Sequence, residues 1–78
     1  MFAMTAAHRS LPFGSKVRVL NLLSGKEIIV RINDRGPPKK SRLIDLSYRA
    51  GQELGLLKTG LARVEIEVVK HPGTARGL

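Results

Sequence analysis

Two aspartates stand at the ends of apolar runs. Asp34 closes Arg31-Ile32-Asn33-Asp34-Arg35-Gly36-Pro37, and Asp45 lies in Arg42-Leu43-Ile44-Asp45-Leu46-Ser47. Paired carboxyl groups are the usual apparatus for breaking a glycosidic bond, one of them protonated to donate to the leaving oxygen. Each also has a structural use. A carboxylate at a strand end can accept backbone N–H bonds from the Gly-Pro turn, and Asp45 can help to cap a helix that follows Ser47. Spacing along the chain leaves open whether the two face one another. His8, in Met4-Thr5-Ala6-Ala7-His8, is the third candidate. An unperturbed imidazole titrates near neutrality, so His8 can serve as acid, base or carboxylate partner, or simply as a hydrogen-bonded surface residue. His8 and His71 are too far apart in sequence to suggest a metal site. The chain has no cysteine, which excludes disulfides and thiolate ligation. It also has no glycine-rich phosphate loop and no Gly-x-Ser-x-Gly elbow.

Short strands must position these groups. Met4 to Ala7 reads as one. Lys16 to Leu20 alternates with period two, and Lys26 to Asn33 resumes the alternation with Ile28, Val30 and Ile32 on one face. Asn21 to Gly25 is short enough to join these two runs as a hairpin. Gly36-Pro37-Pro38 ends the second run, because a proline cannot donate to a ladder. Leu43-Ile44 reads as a very short strand. Ser47 to Leu54 is the helix candidate, with Ser47 as N-cap, Tyr48, Gly51 and Leu54 on one face, and Gly55 as the left-handed residue beyond its end. Leu61 to Val69 alternates Ala62, Val64, Ile66 and Val68 with Arg63, Glu65 and Glu67. The segment from His71 to Leu78 reads as a fraying tail.

Seventy-eight residues allow one domain, and a chain of this size buries only about 60% of its unfolded surface. Fourteen basic against six acidic residues give a net charge of +8. That balance favours anionic partners. The cations are dispersed, with only Lys39-Lys40 and Arg42 clustered, and Phe2, Phe13 and Tyr48 are the only aromatics. Such a set offers no stacking platform for single-stranded nucleic acid, so no specific nucleic-acid binding is expected. No run approaches the roughly 20 apolar residues of a membrane span. The first ten residues lack a signal-peptide layout.

Met4-Thr5-Ala6-Ala7-His8, Leu11-Pro12-Phe13-Gly14, Val17-Arg18-Val19, Val30 to Pro37 and Arg42 to Ser47 occur in one order and spacing. In this the chain resembles the double-psi β-barrel domain of the rare lipoprotein A (RlpA) family, from Met1 to about Val69. The resemblance implies a mainly β fold: a small six-stranded double-psi β-barrel with one short helix, here lacking its first strand. The barrel would occupy residues 1–70 and a flexible tail 71–78. It further implies a lytic transglycosylase acting on peptidoglycan strands that lack stem peptides. That reaction cleaves the bond between N-acetylmuramic acid (MurNAc) and N-acetylglucosamine (GlcNAc) and leaves 1,6-anhydroMurNAc ends, with no metal or cofactor.

By position, His8, Asp34 and Asp45 match the family's active-site residues, and Thr5, Asn33 and Arg35 its substrate-binding groove. The family usually carries an Asn-Gly-Glu-x-Tyr-Asp-like stretch and an earlier strand upstream of the segment matching Met1 to Met4, and its catalytic acids are most often assigned there. Neither occurs in this chain. The alternative is therefore a non-catalytic peptidoglycan-binding module. For the full-length parent, the resemblance implies a periplasmic or outer-membrane-attached protein working with division-site proteins.

Overall fold

The computed structural model describes residues 3–37, 43–56 and 63–71. Among them five strands and one helix follow one another: β1 (Thr5–Ala7), β2 (Lys16–Asn21), β3 (Glu27–Asp34), β4 (Asp45–Leu46), α1 (Tyr48–Leu54) and β5 (Val64–Lys70). The strands form a single sheet in the order β4-β1-β3-β2-β5. Strands β2 and β3 make the expected hairpin, and β5 pairs antiparallel with the other side of β2. Strand β1 lies parallel to β3 and antiparallel to β4. The mainly β fold with one short helix is therefore as expected, with five strands present. Of the last expected strand, Leu61 and Ala62 lie outside the described residues. So do the Lys39-Lys40-Arg42 cluster and residues 72–78 of the expected tail.

Alternation builds the core. Val17, Val19, Val30 and Ile32 project from one face of the hairpin and are essentially inaccessible, as are Ala50 and Leu54 of the helix, with Ala6 nearly so. Ile28, Leu46, Val64, Ile66 and Val68 pack around them. Burying such β-branched side chains is the main stabilising contribution available to a domain of this size.

Helix α1 has only seven residues and depends on its ends. Ser47 caps it, its Oγ accepting the Ala50 N–H at 3.2 Å. Gly55, at φ 84°, reverses the chain. Its N–H reaches Gln52 O, and Leu56 N–H reaches Gly51 O, a Schellman arrangement that satisfies the terminal carbonyls.

Two expectations change in detail. The short strand falls at Asp45–Leu46 instead of Leu43-Ile44, because Leu46 and Asp45 pair with Ala6 and Ala7 on the free edge of β1. The buried helix face is Ala50, Gly51 and Leu54, while Tyr48 is 71% exposed. At 3.6 residues per turn Tyr48 stands about 110° from the middle of that face.

Candidate active site: a groove with two aspartates

The register of the sheet brings the two aspartates together. Ala7 of β1 is aligned with Asp34 of β3 on one side and with Asp45 of β4 on the other. Residues directly opposite in a sheet project to the same face, so the two carboxyl groups flank the small Ala7 side chain. Two inter-strand steps separate their backbones, about 10 Å. Alanine between two longer side chains leaves a trough. It forms part of an open groove of about 220 Å³ lined by Thr5, Ala6, Ala7, Asn33, Asp34, Asp45, Leu46 and Ser47.

A β-bulge makes this possible. Ala6 is aligned with Ile32 but Ala7 with Asp34, so Asn33 is the extra residue. In a regular strand Asp34 would follow buried Ile32 onto the core face. The bulge turns it outward and leaves both Asn33 and Asp34 exposed on the groove. Strand alternation alone would have excluded Asp34.

Backbone donors hold the groove residues in place. Asp34 Oδ1 accepts the N–H of Arg35 at 2.8 Å, and Asp34 O accepts the N–H of His8 at 3.2 Å. Ser47 binds β1 to the helix: its N–H donates to Thr5 O at 2.8 Å, and its Oγ accepts from Thr5 N–H at 3.3 Å. Among the described residues no buried side-chain nitrogen or oxygen lacks a hydrogen-bond partner. No group of three or more His, Cys, Asp or Glu side chains that could hold a metal occurs among them either.

Of the residues singled out from the sequence, Thr5, Asn33, Asp34 and Asp45 line one groove. His8 and Arg35 do not line it and sit instead in the adjoining loop. Arg35 donates from one guanidinium nitrogen to His8 O at 3.0 Å and Leu11 O at 2.6 Å, and its guanidinium lies 4.3 Å from the centre of the Phe13 ring. It therefore fastens the 8–13 loop to the end of β3. His8 Nδ1 accepts two backbone N–H bonds, from Ser10 and Leu11, both at 3.1 Å. Those donors assign the proton of the neutral ring to Nε2. Partial burial lowers the His8 pKa, and the nearby Arg9 and Arg35 cations lower it further. In this geometry the imidazole is a neutral hydrogen-bond donor through Nε2.

Sequence reasoning missed Ser47 as a groove residue, reading it only as a cap. It also missed Asn21, which is 3% exposed and joins the hairpin to the helix. Asn21 Nδ2 donates to Leu54 O at 3.1 Å, and its Oδ1 accepts from Leu23 N–H and Ser24 N–H. A lone Asn before a turn gave no sign of burial.

Sheet and helix together frame a mainly β domain with a polar, carboxylate-bearing cleft. A double-psi β-barrel family model described as lytic transglycolase matches residues 1–66. Similar proteins include the probable endolytic peptidoglycan transglycosylase RlpA of Nostoc sp., 58% identical over 67 residues, which are 86% of this chain and 18% of that protein. The endolytic peptidoglycan transglycosylase RlpA of Pseudomonas aeruginosa is 55% identical over 67 residues, 86% of this chain and 20% of its own length. That of Vibrio cholerae is 51% identical over 69 residues, 88% of this chain and 26% of its own. The chain belongs to the RlpA family of double-psi β-barrel lytic transglycosylase domains. It spans about a fifth to a quarter of the length of these curated relatives.

Proposed function

We propose that this barrel is a peptidoglycan lytic transglycosylase domain that cuts the MurNAc–GlcNAc bond of strands lacking stem peptides. The observation that carries the reading is the alignment of Asp34 and Asp45 on either side of Ala7 in one open groove. In this reading the Asp45 carboxyl group protonates the bridging oxygen as its bond to the anomeric carbon of MurNAc breaks. Asp34, oriented by the Arg35 N–H, faces the positive charge that develops on the sugar. The C6 hydroxyl oxygen of the same sugar then bonds to the anomeric carbon, and its proton passes to the Asp45 carboxylate. A 1,6-anhydro end forms, no water is consumed, and one group acts first as acid and then as base. Asn33 and Thr5 supply hydrogen bonds to the sugar, and Arg35 holds the loop beside them. His8 donates through Nε2 at the rim.

The 1–70 segment serves as the barrel, and its partner is the glycan strand itself. The full-length parent would work in the periplasm or attached to the outer membrane, alongside division-site proteins.

The test is digestion of amidase-treated peptidoglycan, with mass spectrometry of the products. The chain should release anhydro ends, and Asp45→Asn should reduce them by about 10²-fold or more. Absence of anhydro ends from the unmodified chain refutes the enzyme reading. A specific observation favours a second one: His8, with Nδ1 occupied and its pKa lowered, is set up to bind rather than to transfer a proton. A glycan-binding module using the same groove would retain naked strands in a pulldown yet yield no anhydro product.

A further inference from the structure

The outer face of the sheet carries its charges in rows. Lys70 of β5 is aligned with Lys16 of β2, Lys16 with Arg31 of β3, and Arg31 with Thr5 of β1. All three cations are exposed. Among the described residues none of their side chains has a hydrogen-bond or ion-pair partner. Like charges directly opposite on neighbouring strands destabilise a sheet, so the row is not a folding device. The next row along the same face shows the contrast. There Arg18 is neutralised by Glu27 at 3.4 Å and by Glu67.

We propose that the Lys70–Lys16–Arg31 row, which leads through Thr5 into the groove, is the subsite that holds the lactyl carboxylates of the glycan strand. The inference rests on the peptidoglycan reading above and deepens it by naming what selects strands without stem peptides. Removal of a stem peptide leaves a free carboxylate on every muramic residue, so a naked strand is a polyanion and a peptide-bearing one lacks those carboxylates. Strands in a sheet are about 4.8 Å apart, close to the rise of one hexose in an extended β-1,4 chain. In the flat two-fold form of such a chain, alternate sugars present their lactyl groups on the same side. Their carboxylates then recur at the spacing of alternate strands, which is the spacing of Lys70 and Arg31, with Lys16 between them. Thr5 belongs both to this row and to the groove lining, so a strand lying along the row enters the cleft.

The test is binding of soluble naked glycan strands, before and after their carboxyl groups are converted to neutral methylamides, at two salt concentrations. The charge-matched variants are Arg31→Gln/Lys70→Gln and Lys26→Gln/Arg49→Gln, each confirmed folded by its thermal melt. The unmodified chain should bind the acidic strands about tenfold more tightly, each exposed charge pair contributing a factor of roughly three. That preference should shrink at high salt. Arg31→Gln/Lys70→Gln should abolish it and Lys26→Gln/Arg49→Gln should keep it. Equal affinity for both forms of glycan, or equal losses in the two variants, overturns the inference while leaving the glycan reading intact. No binding to either form overturns both.

Discussion

Replacing Ser47 tests how the groove is held to the rest of the fold. Its Oγ accepts N–H bonds from Ala50 at 3.2 Å and Thr5 at 3.3 Å and donates to Ala3 O at 2.9 Å. Ser47→Ala removes all three. Loss of the cap costs about 1 kcal/mol. The half-buried Thr5 N–H loses its partner for roughly another 1 kcal/mol, while exposed Ala3 can turn to water at little cost. The sum of about 2 kcal/mol is large for a domain of this size and corresponds to a melting temperature lower by about 10 °C.

Ser47→Asp separates the contributions. A carboxylate still accepts from Ala50 and Thr5 but cannot donate to Ala3, so its loss should stay under about 1 kcal/mol. Urea titration followed by circular dichroism gives both values. The reasoning fails if Ser47→Ala unfolds within about 0.5 kcal/mol of the unmodified chain. It fails equally if Ser47→Asp is as damaging as Ser47→Ala.

Three further outcomes follow from the same contacts. Gly51 sits in the helix, and a methyl group added there meets nothing within 4 Å, so Gly51→Ala should raise the urea stability by about 1 kcal/mol; a decrease would show that the site is closed. Asn21→Ala leaves Leu54 O and two turn N–H groups without their partner, and a loss of about 2–3 kcal/mol is expected in the same titration. His8 should titrate below 6.5 when its ring carbons are followed by NMR, and a midpoint at or above 6.5 contradicts its environment. Because its pKa is lowered on folding, the unfolded chain binds the proton more readily. The His8 contribution to stability is therefore complete above pH 6.5 and is lost as the pH falls from there through the folded pKa.

Local signals in the sequence located the elements. Alternating β-branched residues marked β2, β3 and β5, and Ser47 with Gly55 bracketed the helix, because caps and period-two patterns are set by near neighbours. What depends on distant partners was not legible. The parallel pairing of β1 with β3 has no local signature, and it decides which residues face one another at Ala7. The bulge at Asn33 could not be read from an uninterrupted Ile-Asn-Asp run, yet it moves Asp34 from the core face to the groove. The shift of the short strand to Asp45–Leu46 has the same origin, since the exposed edge of β1 selected its partner. His8 was legible as a titratable group, but its role as a donor depends on two backbone N–H groups that only the folded loop supplies.

The two rows on the outer face bear on each other. The aspartates at Ala7 lie two residues further along β1 than the cation row at Thr5, about 7 Å away. That is too far for backbone neighbours in the two rows to pair directly. It is short enough, below the Debye length of roughly 8 Å at physiological salt, for the fields to overlap. An acidic groove alone repels a polyanionic strand, and a cationic face alone attracts one without placing a sugar. Side by side, on the proposed reading, the cations offset the repulsion at the entrance, while the groove supplies the carboxyl groups. The net charge of +8 supplies long-range attraction, but attraction spread over a surface gives no register. In the proposal, register comes from the sheet, whose inter-strand step of about 4.8 Å is close to the rise of one sugar. On the proposed reading, a strand anchored by alternate carboxylates on Arg31 and Lys70 brings its next sugar to Thr5, one turn of the pleat from the space between Asp34 and Asp45.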